Sequence, residues 1–155
     1  VAGATGPEGS PWTAGGTLPS GKTETGTWGA NQISTEEFFE LHVPISFPIP
    51  LKKAGDGTAV FFFTEGKVEN QEFGTSGCKW ELGEPEAKPE ATTPGTLCVF
   101  TQGGELFNTT GPFIRPPGVG TPGYGPAGAV IVIPKDGSAT LAEVSAYGTW
   151  AVTAP

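Results

Sequence analysis

Several residue types are scarce in this chain, and each scarcity excludes something. Methionine is absent, histidine occurs once, and helix formers give way to 25 glycines and 16 prolines, roughly a quarter of the 155 positions. Glycine and proline both interrupt helices, so a helical bundle, a coiled coil and a nucleotide-binding fold with long helices are excluded. No apolar run reaches the ~18 residues of a membrane span, so no membrane insertion is expected. The longest runs, 59–63 and 127–133, have the length of strands. Positive charge is also short: eight Lys and Arg against sixteen Asp and Glu leave a net charge of −8. That balance opposes the phosphate contacts on which nucleic-acid and anionic-membrane binding depend. The missing Met, at position 1 as elsewhere, points to a processed chain or a piece of a longer one, and no basic leader with an apolar core opens it.

The catalytic inventory is equally thin. A Ser–His–acid arrangement needs an imidazole, and His42 is the only one; it sits on the polar face of an alternating strand, and Gly74-Thr75-Ser76-Gly77-Cys78 is not a nucleophile elbow. Gly21-Lys22-Thr23 lacks the first glycine and the strand of a phosphate-binding loop. Asp56 and Asp136 are the only aspartates and stand far apart, which argues against a calcium loop. Glutamates are abundant, above all between Glu65 and Glu90, but that abundance makes any carboxylate pair uninformative, and a solvated acidic loop is the expectation. The chain reads as non-enzymatic, with neither a cofactor nor a metal.

Only two cysteines are present, Cys78 and Cys98, flanking the Glu- and Pro-rich stretch. With one histidine and no Cys-x-x-Cys they are too few for a zinc site, which leaves a disulfide or two buried free thiols. A disulfide closing a loop of this length would add roughly 3 kcal/mol and would place the protein in an oxidising, extracellular setting.

Against these absences stand ten Phe, four Trp and two Tyr, enough apolar mass for one folded core. Leu41, Val43, Ile45, Phe47, Ile49 and Leu51 occupy every second position, with Pro44, Pro48 and Pro50 between them: a half-buried strand that must lie at an edge or leave the sheet. Gly55-Asp56-Gly57 turns into a segment from Thr58 to Thr64 that is apolar on both faces, as a central strand would be. Ser34 and Glu37 have capping-box spacing, so 33–43 is the one helical candidate, with at most one to two turns expected before Pro44. Further strands are expected at 97–100, 106–110, 129–133, 140–144 and 147–153, with a long Gly/Pro loop over 111–128. The expected fold is all-β: a β-sandwich or jelly-roll-like domain of roughly eight short strands, long Gly/Pro-rich loops and at most one short helix.

Trp28 and Trp150 end Thr-rich segments and are expected in the core. Trp80, beside Cys78, and Tyr124, among glycines and prolines, are the candidate surface contacts. Asn108-Thr109-Thr110 is a formal N-glycosylation triplet.

Glycine recurs at positions 3, 6 and 9, as in the Gly-X-Y repeat of a collagen helix, whose axis admits only glycine. Residues 1–11 are therefore expected to be a collagen-like stub or leader and 12–155 a single head domain. Together with the strings 18–28, 45–51, 95–100 and 148–153, the triplets resemble C-terminal domains of secreted bacterial collagen-like proteins of the actinobacterial type. The resemblance implies secretion, a collagen-like stalk and a cell-surface position, and it supplies no catalytic or binding residue. By analogy of fold, such stalks end in trimeric jelly-roll heads. The leading expectation is an extracellular structural domain that caps a stalk as a homotrimer and makes surface contacts; the alternative is a monomeric carbohydrate-binding module of a secreted protein.

Overall fold

The structure, a computed structural model, describes residues 15–63, 71–72, 76–81 and 88–155. The collagen-like triplets and most of the acidic loop lie outside the described residues. Twelve strands are formed among the described residues: β1 (Thr23–Ser34), β2 (Glu40–Ser46), β3 (Gly55–Asp56), β4 (Val60–Phe63), β5 (Gln71–Glu72), β6 (Cys78–Glu81), β7 (Lys88–Ala91), β8 (Leu97–Phe107), β9 (Phe113–Arg115), β10 (Gly123–Tyr124), β11 (Gly128–Pro134) and β12 (Ala142–Thr153). Eight of them have four residues or more. The fold is an all-β sandwich. A four-stranded sheet, in the order β1-β12-β8-β4, faces a three-stranded sheet, β2-β11-β9. Two smaller sheets, β10-β3 and β5-β6-β7, complete it.

Period-two alternation builds the core. In β2 and the segment after it, Val43, Ile45, Phe47, Ile49 and Leu51 are buried while the residues between them, three of them proline, are exposed. β2 is an edge strand, where a proline need not donate to a ladder. Trp28 and Trp150 point into the same core, Trp150 against Phe47 with ring centroids 5.5 Å apart. The Trp28 indole N–H donates to the carbonyl of Phe100 at 3.0 Å, in the space beside Gly148, where a Cβ would collide with that carbonyl.

β4 is not central: it ends the four-stranded sheet, paired parallel to β8 from Val60↔Leu97 to Phe63↔Phe100. Its two apolar faces have another cause. Phe62 faces the main core, its ring 5.7 Å from that of Trp28, whereas Phe61 and Phe63 turn to a second cluster with Cys78, Ala91, Cys98, Phe100 and Ala151. The sheet is thus covered on both sides along this half: by the three-stranded sheet on one face and by the layer containing β6 and β7 on the other. The Cys78–Cys98 disulfide, with Cα atoms 5.7 Å apart, ties that layer to β8. Thr153 adds a hydrogen bond from its hydroxyl to the carbonyl of Ala91.

The helix expected within 33–43 is absent. β1 runs to Ser34, whose hydroxyl accepts from the N–H of Glu36 at 3.1 Å and so makes a tight turn instead of an N-cap. Pairing with β12 along twelve residues outweighs the local preference. The strand expected at 97–100 is longer than expected, extending through Gly103 and Gly104 to Phe107. The 111–128 loop is also more ordered than a plain loop, since it carries β9 and β10.

The chain enters and leaves the sandwich at one pole, where the Leu18 N–H donates to Pro50, Gly21 to Ala154, and Ala154 to Lys22. Near this pole Glu24 faces inward. One carboxylate oxygen accepts from the N–H of Ile49 at 3.1 Å, while the other is buried without a partner. Burial raises the Glu24 pKa, and the Ile49 hydrogen bond opposes the rise only in part.

Two outcomes follow from this packing. Replacing both cysteines by serine is expected to lower the unfolding free energy by about 3 kcal/mol in urea titration and to make the β6–β7 layer the first site of proteolysis. Because the Glu24 pKa is raised by folding, the native state holds its proton more tightly than the unfolded chain, so this carboxyl favours the fold as pH falls through the raised value and disfavours it above. Glu24→Gln is therefore expected to raise the melting temperature at neutral pH, with the gain shrinking toward acid; an equal gain at every pH would contradict this.

Candidate functional site

Among the described residues, the four-stranded sheet is covered on its outer side along one half only. Toward the other pole, Ala142, Val144 and Ala146 of β12 are buried, so Glu143, Ser145 and Tyr147 point outward. Register then assembles a three-by-three face. Ile33, Glu143 and Phe107 form one row; Asn31, Ser145 and Glu105 the next; Gly29, Tyr147 and Gly103 the third. Ile33 is 57% exposed, Phe107 50% and Tyr147 60%. Three large apolar side chains on one rigid face are more than the scatter of single exposed residues found on any surface.

Tyr147 takes its orientation from two irregularities of β8. The register with β12 shifts between Tyr147 and Gly148, so that Gln102 has no opposite residue. Gly103, directly across from Tyr147, lies beneath its ring: a Cβ there would come within 2.5 Å of the phenol oxygen and 2.7 Å of Cζ. The ring is thus laid along the sheet over the bare backbone of Gly103. The carboxylates of Glu105 and Glu143 make neither a hydrogen bond nor an ion pair within the described residues, and no basic side chain stands among the nine positions.

A cavity of about 510 Å³ adjoins this face at the edge of β8, lined by Thr101, Glu105, Leu106 and Phe107 and closed by Thr109 to Pro112. Its position follows from the sheet order, since among the described residues β4 pairs with β8 as far as Phe100. The Thr101 hydroxyl is buried there without a hydrogen-bond partner.

On the three-stranded sheet a second polar group stands out. His42 Nε2 lies 3.2 Å from Glu40 Oε2 and 3.1 Å from an Arg115 nitrogen. That ring nitrogen either donates to Glu40 or accepts from Arg115, so the cluster links β2 to β9 across the fully buried Val132, which stands opposite both His42 and Phe113. His42 is solvent-facing as expected, with half of its side chain exposed.

The residues singled out from the sequence have different fates. Cys78 and Cys98 are joined. The Trp80 backbone pairs with Gln71 and Pro89, while its side chain lies outside the described residues. Tyr124 is not a surface residue: it is 1% exposed, packs edge-on against Phe47, and donates its phenol hydrogen to the carbonyl of Gly95 at 2.8 Å. Pairing of β10 with β3 sets Tyr124 opposite Gly55, whose missing side chain leaves room for the ring. Burial first, and the charge of Asp56 second, raise its pKa. Asp56 and Asp136 each accept from the N–H and hydroxyl two residues on, at Thr58 and Ser138, and those turns hold both carboxyls below the usual range. Asn108 adopts a positive φ of 53°, and its amide donates to Leu141.

Sequence reasoning missed Tyr147, Phe107, Glu105 and Thr101. The available signal was parity: Tyr147 is three residues from Trp150, so the two must face opposite sides of one strand. No protein-family model, curated protein or solved structure matches the chain.

The two tyrosines offer a direct check of this geometry. Tetranitromethane is expected to nitrate Tyr147 in the folded protein and to spare Tyr124 until denaturant is added, as read by peptide mass spectrometry. Nitration of Tyr124 under native conditions would contradict its placement in the core.

Proposed function

We propose that this chain is the head of an extracellular assembly: a non-enzymatic structural domain that caps a collagen-like stalk and associates as a homotrimer. The observation that carries this reading is the polarity of the sandwich. The first described residues join the domain beside its last strand, through the hydrogen bonds of Leu18, Gly21 and Ala154. At the opposite pole three loops meet: Lys135 donates to Phe39, Asp136 to Asn108, and Thr110 to Pro134. A stalk arriving at the first pole leaves the second free to face outward, and there Phe38 is 91% exposed.

Two further observations support the same reading. The disulfide suits an oxidising compartment, where such bonds persist. The glycines at 3, 6 and 9 repeat at the collagen period immediately before the domain.

The reading is tested by fusing a run of Gly-Pro-Pro triplets upstream of Val1. Mass photometry at low micromolar concentration is expected to give three times the chain mass. The melted triple helix is expected to refold at a rate independent of concentration, because the heads hold three chains together. A monomeric mass, with refolding as slow as that of the triplets alone, would remove the assembly role.

A further inference from the structure

The half-face of β1, β12 and β8 left open by the described residues carries a combination that simple packing does not require: an exposed aromatic ring reaching over Gly103, two carboxylates unengaged among the described residues, and a cavity beside a buried hydroxyl lacking a partner. We propose that this face is a carbohydrate-binding platform for a neutral polysaccharide chain, with Tyr147 as its stacking surface and Glu105 as its principal hydrogen-bond acceptor. This goes beyond the structural head role and concerns the outer face of the four-stranded sheet, which runs up to the loop pole at Phe107.

The ligand class follows from the chemistry of the nine positions. The phenol end of Tyr147 lies over Gly103 and the residue is 60% exposed, so the ring offers an apolar surface of the kind on which the C–H face of a pyranose rests. Asn31, Ser145 and Glu105 form the next row, about 7 Å away, and Phe107 lies in the row beyond. Aromatic rings four positions apart along the strand direction, with polar groups between them, match an extended chain of sugars better than a single ring. Charge narrows the choice further. The face bears Glu105 and Glu143, no basic side chain, and belongs to a chain of net charge −8, so sulfated, phosphorylated or uronic-acid chains are repelled. A neutral sugar supplies hydroxyl donors, which the free carboxylates lack.

The cavity beside Glu105 and Phe107 extends the platform around the β8 edge. Thr101, 5% exposed, borders this cavity, and its hydroxyl has no partner among the described residues. The irregularities of β8 also fit this use. The register shift at Gln102 interrupts the β8–β12 ladder beside Tyr147. Gly103 keeps the surface beneath the ring bare.

Affinity electrophoresis of the whole chain through native gels containing dextran, galactomannan, xylan or hydroxyethylcellulose tests the assignment, with heparin as an anionic control. Migration is expected to be retarded by at least one neutral polymer and not by heparin. Tyr147→Ala and Glu105→Gln are each expected to weaken binding by about tenfold or more, and Tyr147→Phe, which keeps the ring, to restore it. Circular dichroism melts and mass photometry on the same variants separate the alternatives. No retardation by any neutral polymer, retardation insensitive to Tyr147→Ala, or a change of oligomeric mass in place of a change in binding would overturn the platform. The last result would identify the face as a contact between copies of this chain. Loss or absence of retardation leaves the stalk-fusion measurement untouched, whereas a change of oligomeric mass would bear on both readings.

Discussion

Two-sided burial of the β8–β12 pair is the constraint from which the rest of the structure follows. Along this half of the sheet, Leu97, Val99, Trp150 and Val152 face the main core, while Cys98, Phe100 and Ala151 face a second layer. Antiparallel sheets commonly leave one face in water, and their strands then alternate; strands covered on both faces read as continuous apolar runs. A second cover has to be held in place, and the small β6–β7 strands bring little core of their own. The disulfide from Cys78 to Cys98 supplies that tether at the centre of the pair.

The same constraint explains why the sheet changes character along its length. Where the second layer ends, alternation returns to β12: Ala142, Val144 and Ala146 inward, Glu143, Ser145 and Tyr147 outward. Among the described residues, pairing of β4 with β8 runs to Phe100, and the register shift at Gln102 falls next to that point. One continuous pair of strands therefore serves as a two-sided core element at one pole and a one-sided surface at the other. Bulges are common where a sheet must change direction or re-aim a side chain, and here the bulge sets Tyr147 across from Gly103.

Much of the fold was legible in the chain itself. The alternation from Leu41 to Leu51 identified both the buried set and, through its prolines, an edge strand, because side-chain parity and the missing proline donor are local properties. Trp28 and Trp150 were legible as core residues for the same reason. Where reading failed, a distant partner decided. The β4 segment looked central because it is apolar on both faces, yet one of those faces meets a layer closed by the Cys78–Cys98 disulfide further along the chain. Tyr124 looked exposed among glycines and prolines, yet Gly55, remote in sequence, leaves the space it fills. Ser34 and Glu37 had the spacing of a helix cap, but pairing with β12 overrode it.

What the sequence determined alone was the class of fold and the parity of its strands, since both rest on interactions among near neighbours: glycine and proline suppress helices, and a period of two commits alternate residues to opposite faces. Tertiary structure alone decided which faces are covered. Parity says that Tyr147 and Trp150 point to opposite sides of β12, but only the stacking of sheets assigns one side to the core and the other to solvent. Burial is set by what lies across the sheet, and those partners come from segments far away along the chain.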